Sequence, residues 1–452
     1  MRLTKEQFLD FYSQQTLADE ASLFLGSGVS ATTGYPSWKS LLQPCARQLG
    51  IEITDSTDLY LLAQYYANTF GESALKKIVN DNINILNHES SLIDELLNLN
   101  FSTVWTTNYD TVLEKNLHKR NIQSNSVNND KDLANISRNN RVNIYKLNGD
   151  VSNLDRIVIS KNDLDSYNST HELLLTFFKK ELVSNTFLFL GYSFSDTLVL
   201  SCLNTINKCL GNSANYHYAI MKDEKNTNFN YFIEDLEKRY KIRVLLIDNY
   251  DDLPIVLNEL NKTIKKKNIF FSGTFEMLPS KEDLFAYELC DKLSEGLLLN
   301  KYYIYTGYGR KMGNYLAGTS IQHLLNHNMK IEKHLLMRPF LSSMSPAEQY
   351  AHREMLITNC HVAIFMFGQS PYQDGYVNSR GVKEEFEIAK KHKKIIIPIG
   401  VTSYSAAEIW EEVKNNITLY PYLERYIDIL KTENNPSCIT KVILQILEEV
   451  CL

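Results

Sequence analysis

The chain has 452 residues, 44% hydrophobic and 22% charged, the balance of a soluble globular protein too long for one ordinary core, so two to three domains are expected. Its net charge of −6 gives no electrostatic reason for nucleic-acid binding, which usually draws on a basic face. The longest apolar runs, such as 187–190 and 362–367, are of strand length and far short of a bilayer span. The opening Met1-Arg2-Leu3-Thr4-Lys5-Glu6 lacks the apolar core of a signal peptide. No membrane partner is expected, and the cytoplasm is the expected compartment. The seven cysteines (45, 202, 209, 290, 360, 438, 451) form no Cys-x-x-Cys pair, which suits reduced thiols. The ten histidines are read as forming no metal-ligand cluster, and no metal site is expected.

In chain order, residues 22–25 predict a buried strand and 38–49 a helix bent at Pro44. Helices follow at 59–70 and 92–99, then a strand at 102–106. The Asn-rich stretch 118–140 suits a mobile loop over a site. Strands recur at 143–146, 157–159, 187–190, 216–220 and 244–247, with helices between them. The helix from 252 runs into a lysine-rich segment, 261–268, read as a solvated helix end and a hinge. The pattern restarts at 269–273. Helix 281–297, strand 302–305, helices 311–325 and 346–359, strand 362–367, helix 383–391 and strand 394–399 follow. The fold class is α/β, with two doubly wound (Rossmann-like) domains in tandem at 1–265 and 269–452.

Four motifs in the first half each follow a short apolar run, where a strand gives way to a loop. They are Gly26-Ser27-Gly28-Val29-Ser30, Thr107-Asn108-Tyr109-Asp110, Lys146-Leu147-Asn148-Gly149-Asp150 and Gly191-Tyr192-Ser193-Phe194-Ser195-Asp196. Strand ends of an open parallel sheet line one crevice, where nucleotides bind. A Gly-Ser-Gly turn before a helix lets amides approach a pyrophosphate, although Gly26 and Gly28 also suit a plain tight turn. Asn108 offers an amide to ribose hydroxyls or a water, and Asp110 a carboxylate to positive charge developing on a sugar. Turn chemistry explains that pair equally well, and Ser195 or Asp196 can cap the helix at Thr197.

As an ordered set, these motifs resemble the NAD-binding core of the sirtuins, over about residues 1–265. Gly-Ser-Gly-Val-Ser is similar to their Gly-Ala-Gly-x-Ser loop, and Thr-Asn-Tyr-Asp to their Gln-Asn-Ile-Asp. Lys-Leu-Asn-Gly-Asp is similar to their Leu-His-Gly segment, and Gly191–Ser193 to a later Gly-x-Ser. The resemblance implies an NAD pocket of Gly26, Ser27, Gly28, Val29, Ser30, Asn108, Asp110, Gly191 and Ser193, with Asn108, Asp110 and Asn148 as catalytic positions. Protein-deacylating sirtuins carry zinc-holding Cys-x-x-Cys pairs, absent here, so simple cleavage of the nicotinamide–ribose bond is implied. Asn148 occupies the position of the general-base His. An amide accepts no proton near neutral pH, and loss of a general base costs about 10²–10⁴-fold in rate. NAD is thus expected to bind and to turn over poorly. Asn148 is either a natural variant with altered chemistry or an introduced substitution that traps the enzyme unreacted; the intact surrounding motifs favour the second.

The second half places Ser272 and Gly273, then Gly307, Gly309 and Arg310, after strands. Arg353 lies on a helix, and Arg380, Lys383 and Glu385 open another. Glycines at strand ends with several arginines suit a phosphorylated ligand, although surface ion pairs account for each Arg singly. This half resembles the SLOG family: Arg353 sits like the Arg of its Met-His-x-Arg-Lys helix. Gly381-Val382-Lys383-Glu384-Glu385 is similar to a decayed Gly-Gly-x-Gly-Thr-x-x-Glu. The decay points to recognition rather than catalysis, through Ser272, Gly273, Gly307, Gly309, Arg310, Arg353, Lys383 and Glu385. The two halves in this order resemble the Thoeris antiphage-defence effectors. That implies an NAD hydrolase releasing nicotinamide and ADP-ribose, switched on by a cyclic ADP-ribose isomer from a TIR-domain partner, in a homo-oligomer of four or more. The competing readings are an NAD-sensing scaffold without catalysis, and a second-domain enzyme acting on nucleoside monophosphates.

Overall fold

Strand segments such as Ala21–Leu25 and Thr186–Leu190 are apolar without alternation and buried along nearly their whole length, as a parallel sheet covered on both faces by helices requires. A computed structural model describes residues 3–54, 57–83, 88–99, 101–136, 142–373 and 375–451. Its contacts divide the chain into two compact units, Met1–Asn261 and Lys262–Leu452.

The first unit holds a seven-stranded sheet built from β1 (Ala21–Leu25), β2 (Thr103–Thr106), β3 (Ser124–Val127), β4 (Val142–Lys146), β5 (Thr186–Leu190), β6 (His217–Lys222) and β7 (Ile242–Ile247). The strand order is β3-β4-β2-β1-β5-β6-β7, and every pairing is parallel. From β1 the chain builds outward to one side and then crosses to β5 on the other, so β1 and β5 flank the switch point. Register brings the strand ends level. Leu25 stands opposite both Thr106 and Leu190, and Thr106 opposite Lys146. The four motifs therefore leave the sheet at one height on one edge. Trp105 anchors the core beneath them, fully buried, stacked on Tyr145 at 4.3 Å and against Phe178 at 4.7 Å.

The second unit has a parallel sheet of order β10-β9-β8-β11-β14, from β8 (Asn268–Ser272), β9 (Tyr303–Thr306), β10 (Leu335–Met337), β11 (Val362–Phe365) and β14 (Ile395–Pro398). An antiparallel hairpin, β12 (Gln369–Tyr372) and β13 (Gly375–Asn378), is added to it in sequence. Helices Ser280–Leu299 and Arg310–Asn326 pack closely through a hydroxyl layer. Ser294 Oγ lies 3.1 Å from Thr319 Oγ1 and 2.9 Å from Ser320 Oγ, all three buried. Among the described residues no helix is long and apolar enough to cross a membrane.

Four expectations change. Residues 157–159 form no strand: Val158 N–H donates to the Asn148 carbonyl and Ile159 N–H to the Asp163 carboxylate, so these amides serve the site loop instead of a ladder. The stretch 118–140 is not a plain loop, since β3 lies within it and pairs with β4; residues 137–140 lie outside the described ones. The helix at 38–49 is two pieces, Trp38–Leu41 and Gln43–Leu49, with Pro44 in the first turn of the second. The helix Leu253–Lys265 runs through most of the segment read as a hinge, and only two residues separate it from β8.

The Ser294 layer fixes the distance between its helices. Ser294→Leu should lower second-unit stability by about 1–3 kcal/mol through overpacking, read as a drop in urea midpoint with far-UV signal retained.

Candidate functional site

The first site is a cleft of about 290 Å³ lined by residues of all four motifs, Ser27, Ser30, Asn108, Asp110, Asn148, Gly191, Ser193 and Asp196 among them. That volume sits near the lower end of ligand pockets, roughly 300–1,000 Å³. The loops after β1 and β5 meet backbone to backbone. Gly26 N–H donates to the Leu190 carbonyl and Gly28 N–H to that of Gly191, each at 2.9 Å. A Cβ on Gly26 would stand 2.3 Å from Gly191 O, and one on Gly191, at φ +60°, 2.5 Å from Val29 N. The glycines thus close the switch point, and these two amides are committed to β5 instead of pointing at a phosphate. Val29 is buried beneath them, 2% exposed, whereas Ser27 and Ser30 face the cleft.

Asn108 is held by the same loop. Its Nδ2 donates to the Gly26 carbonyl and to Ser30 Oγ, both at 3.0 Å, which uses both amide hydrogens and leaves Oδ1 as the atom it can offer. Asp110 Oδ1 accepts the Val112 amide at 3.0 Å, so it caps the following helix as well as lining the cleft. Asn148 is 5% exposed. Its Nδ2 lies 3.4 Å from the Tyr60 hydroxyl, and its Oδ1 is buried with no hydrogen-bond partner. Ser193 Oγ lies 2.7 Å from Ser195 Oγ.

Below these loops sits a buried cation. Lys146, 1% exposed, contacts the Asp150 carboxylate, the Glu114 carboxylate at 2.8 Å and the Asp110 carbonyl. Burial works against its charge, yet Glu114 and Asp150 outweigh burial and raise its pKa above the ordinary lysine value. One ammonium ties the loop bearing Asn108 and Asp110 to the loop bearing Asn148 and Asp150.

Sequence reasoning missed Tyr60, Trp38 and the second role of Asp196. Tyr60 comes from the helix Leu59–Phe70, packs on Trp38 at 4.4 Å and donates to Asp196 Oδ2 at 3.4 Å. Nothing in its sequence surroundings separates it from Tyr65, which is exposed, or Tyr66, which is core, on the same helix. Asp196 was legible as a cap, and its Oδ1 does accept the Leu198 amide, but it also lines the cleft.

In the second unit the strand ends bring Ser272, Gly273, Gly307 and Gly309 together: a Cβ on Gly309 would meet Gly273 O at 2.3 Å. Ser272 Oγ donates to the buried Glu385. Burial pushes that carboxyl up to about 7, against the opposing pull of Ser272 and Arg353. Arg353 pairs with Glu384 at 2.9 Å and Glu385 at 3.5 Å, and lies over the Phe340 ring at 4.5 Å. Phe340 and Glu384 were not anticipated. Like Arg353, the other two cations have carboxylate partners: Arg310 pairs with Glu276, and Lys383 with Glu408 at 2.6 Å. Their charges already have partners.

The reading of the histidines also passed over His323 and His327, four residues apart. His323 Nε2 lies 2.7 Å from Asp291 Oδ1, with Glu295 beside them. Lys292, 2.9 Å from Glu295 and 3.5 Å from Asp291, answers the carboxylate charge.

Removing the Lys146 ammonium strands the buried Asp150 carboxylate and leaves the partly exposed Glu114 without its partner. Lys146→Met should cost about 3–5 kcal/mol and, in whatever protein still folds, weaken ligand binding at the cleft. Thermal unfolding and ligand calorimetry check both.

Comparison with known proteins agrees with this division. Residues 252–450 match the Sir2- and TIR-associating SLOG family, and residues 102–245 match the SIR2-like domain; the Gly26 loop lies before the second match. The chain is similar to the NAD(+) hydrolase ThsA of Enterococcus faecium, at 30% identity with 92% of each chain covered. It is similar to the NAD(+) hydrolase ThsA of Bacillus cereus at 29%, over 92% of this chain and 91% of that one. The NAD(+) hydrolase ThsA of Acinetobacter baumannii is 30% identical over 88% of each chain. With a SIR2-like cleft, a SLOG unit and relatives matched along nearly their whole length, the chain belongs to the ThsA-type NAD(+) hydrolases, the Thoeris effectors.

Proposed function

We propose that the first unit binds NAD in the cleft under the four strand-end loops and cleaves it slowly to nicotinamide and ADP-ribose. A cyclic ADP-ribose isomer made by a TIR-domain partner, bound at the second unit, switches this on in a cytoplasmic homo-oligomer of four or more chains. The observation that carries the reading is the common level of the four strand ends, which puts Asn108, Asp110, Asn148 and Ser193 on one cleft.

The chemistry follows from what each group has left to offer. Asn108 has spent both amide hydrogens, so its Oδ1 accepts from a ribose hydroxyl or an attacking water. Asp110 supplies negative charge beside a ribose that gains oxocarbenium character as nicotinamide departs. Asn148 fills the space of a ring and takes no proton, so turnover is slow while binding stays intact. In the second unit, Arg353 lies over Phe340 and against Gly381 and meets a ligand by giving up Glu384, with Glu385 beside it for a ribose hydroxyl. Arg310 and Lys383 contact the same ligand only after giving up Glu276 and Glu408. A ligand there changes activity only as far as it binds the active and inactive arrangements with different affinity.

A scaffold that senses NAD without cleaving it is the second reading, and the unpartnered Oδ1 of buried Asn148 is the observation that favours it. Nicotinamide release separates the two. Asn148→His should raise the rate by about 10²–10⁴-fold in the presence of a cyclic ADP-ribose isomer; equal rates would contradict the assignment. Arg353→Ala should abolish the response to the cyclic nucleotide and leave NAD affinity unchanged. Normal calorimetric binding of the cyclic nucleotide to that variant would displace the second site from Arg353.

A further inference from the structure

Asp196 begins the helix Thr197–Leu210, and its Oδ1 accepts the Leu198 amide at 2.8 Å. That leaves Oδ2, which faces the Tyr60 hydroxyl at 3.4 Å. The same hydroxyl lies 3.4 Å from Asn148 Nδ2, so Tyr60 joins the carboxylate to the position where the family base is expected. Asp196 is 5% exposed, yet it lines the cleft with Asn108 and Asn148.

Among the described residues, no cation is found to act on it. Burial raises its pKa above the ordinary carboxylate value. What opposes burial is the amides of Leu198 and Val199, the Tyr60 hydroxyl and the Asn148 amide, none of them a cation. The titratable groups that face it are Tyr60, Tyr109 and Tyr167 from neighbouring elements, Tyr192 beside it and Cys202 on its own helix. All are uncharged near neutral pH, and burial raises their pKa values further, the Cys202 thiol to about 11. A desolvated carboxylate without a cation binds a proton more strongly than one in water, which is the property a general base needs. Asp110, the other carboxylate of the cleft, is tied to the Val112 amide and the next helix.

We propose that Asp196 is the proton acceptor for NAD cleavage in this chain, standing on the β5 loop in for the imidazole that position 148 lacks. The proposal rests on the hydrolase reading above. In the step it serves, the bond between ribose C1′ and the nicotinamide nitrogen breaks, and its electron pair stays with the ring, which leaves as neutral nicotinamide. Water forms the new C1′–O bond, and its proton passes to Asp196 Oδ2 and then to solvent. The sum is NAD⁺ and water giving ADP-ribose, nicotinamide and a proton. Tyr60 and Asn148 hold the carboxylate and the water in place.

Asp196→Asn tests this, because Asn is as good an N-cap as Asp and cannot take the proton. The full-length chain and its Asn148→His form are each compared with and without Asp196→Asn, at saturating NAD and cyclic ADP-ribose isomer. Nicotinamide release gives kcat, KM and the pH profile, and thermal unfolding reports the cap. In the unaltered chain Asp196→Asn should lower kcat by about 10²-fold or more with KM unchanged. Base catalysis needs the ionised carboxylate, so the rate should climb as pH rises through the Asp196 pKa, and Asp196→Asn should erase that climb. In the Asn148→His form the loss should be far smaller, since imidazole takes the proton. Unchanged turnover in Asp196→Asn, or the same fractional loss in both backgrounds, would overturn the proposal; so would release by the Asn148→His form alone, which leaves the hydrolase reading standing. No nicotinamide from any form would overturn both.

Discussion

The contact between the backbones leaving β1 and β5 has no room for a side chain, and the first unit is arranged around it. Gly26, Gly28 and Gly191 interlock there at distances a Cβ could not share. Their amides and carbonyls bond across the switch point. This closes the two central loops into one floor, and Asn108 is pinned to that floor by Gly26 and Ser30. The glycines act on the site by fixing its walls, and the polar side chains beside them line the cleft.

A second tie lies under the neighbouring loops. Lys146 is buried at the end of β4 and reaches Asp150, Glu114 and the Asp110 carbonyl, so one ammonium joins the β2 and β4 loops. Burying an ammonium is costly unless carboxylates surround it, and here two do. The glycine contact and the lysine bridge together place Asn108, Asp110, Asn148 and Asp196 from three separate strand ends on one cleft. Binding geometry is thereby set by the fold, independently of which residue accepts the proton.

Much of this was legible in the sequence because strand–loop boundaries carry local signals. An apolar run ending in Gly, Asn or Asp marks a strand end whatever surrounds it, and parallel pairing then brings such ends together. Domain type was legible for the same reason. Three things were not. Tyr60 reaches the site from a helix more than eighty residues before Asn148 in the chain, and its own helix presents several tyrosines. Residues 157–159 have strand composition, but their amides are drawn to Asn148 and Asp163, a competition that no local pattern reveals. The carboxylate partners of the second-unit cations were hidden as well, Glu276 beside Arg310, Glu408 beside Lys383 and Glu384 beside Arg353; surface pairing is a property of the folded chain alone.

The central claim is that the cleft is complete for NAD even with Asn148 in it. Calorimetric titration of the unaltered full-length chain with NAD tests this most directly, alongside Gly28→Leu, whose side chain would drive into Gly191. One saturable NAD site per chain is expected in the first protein and none in the second. No binding heat from the unaltered chain, or equal affinity in the two, would contradict it.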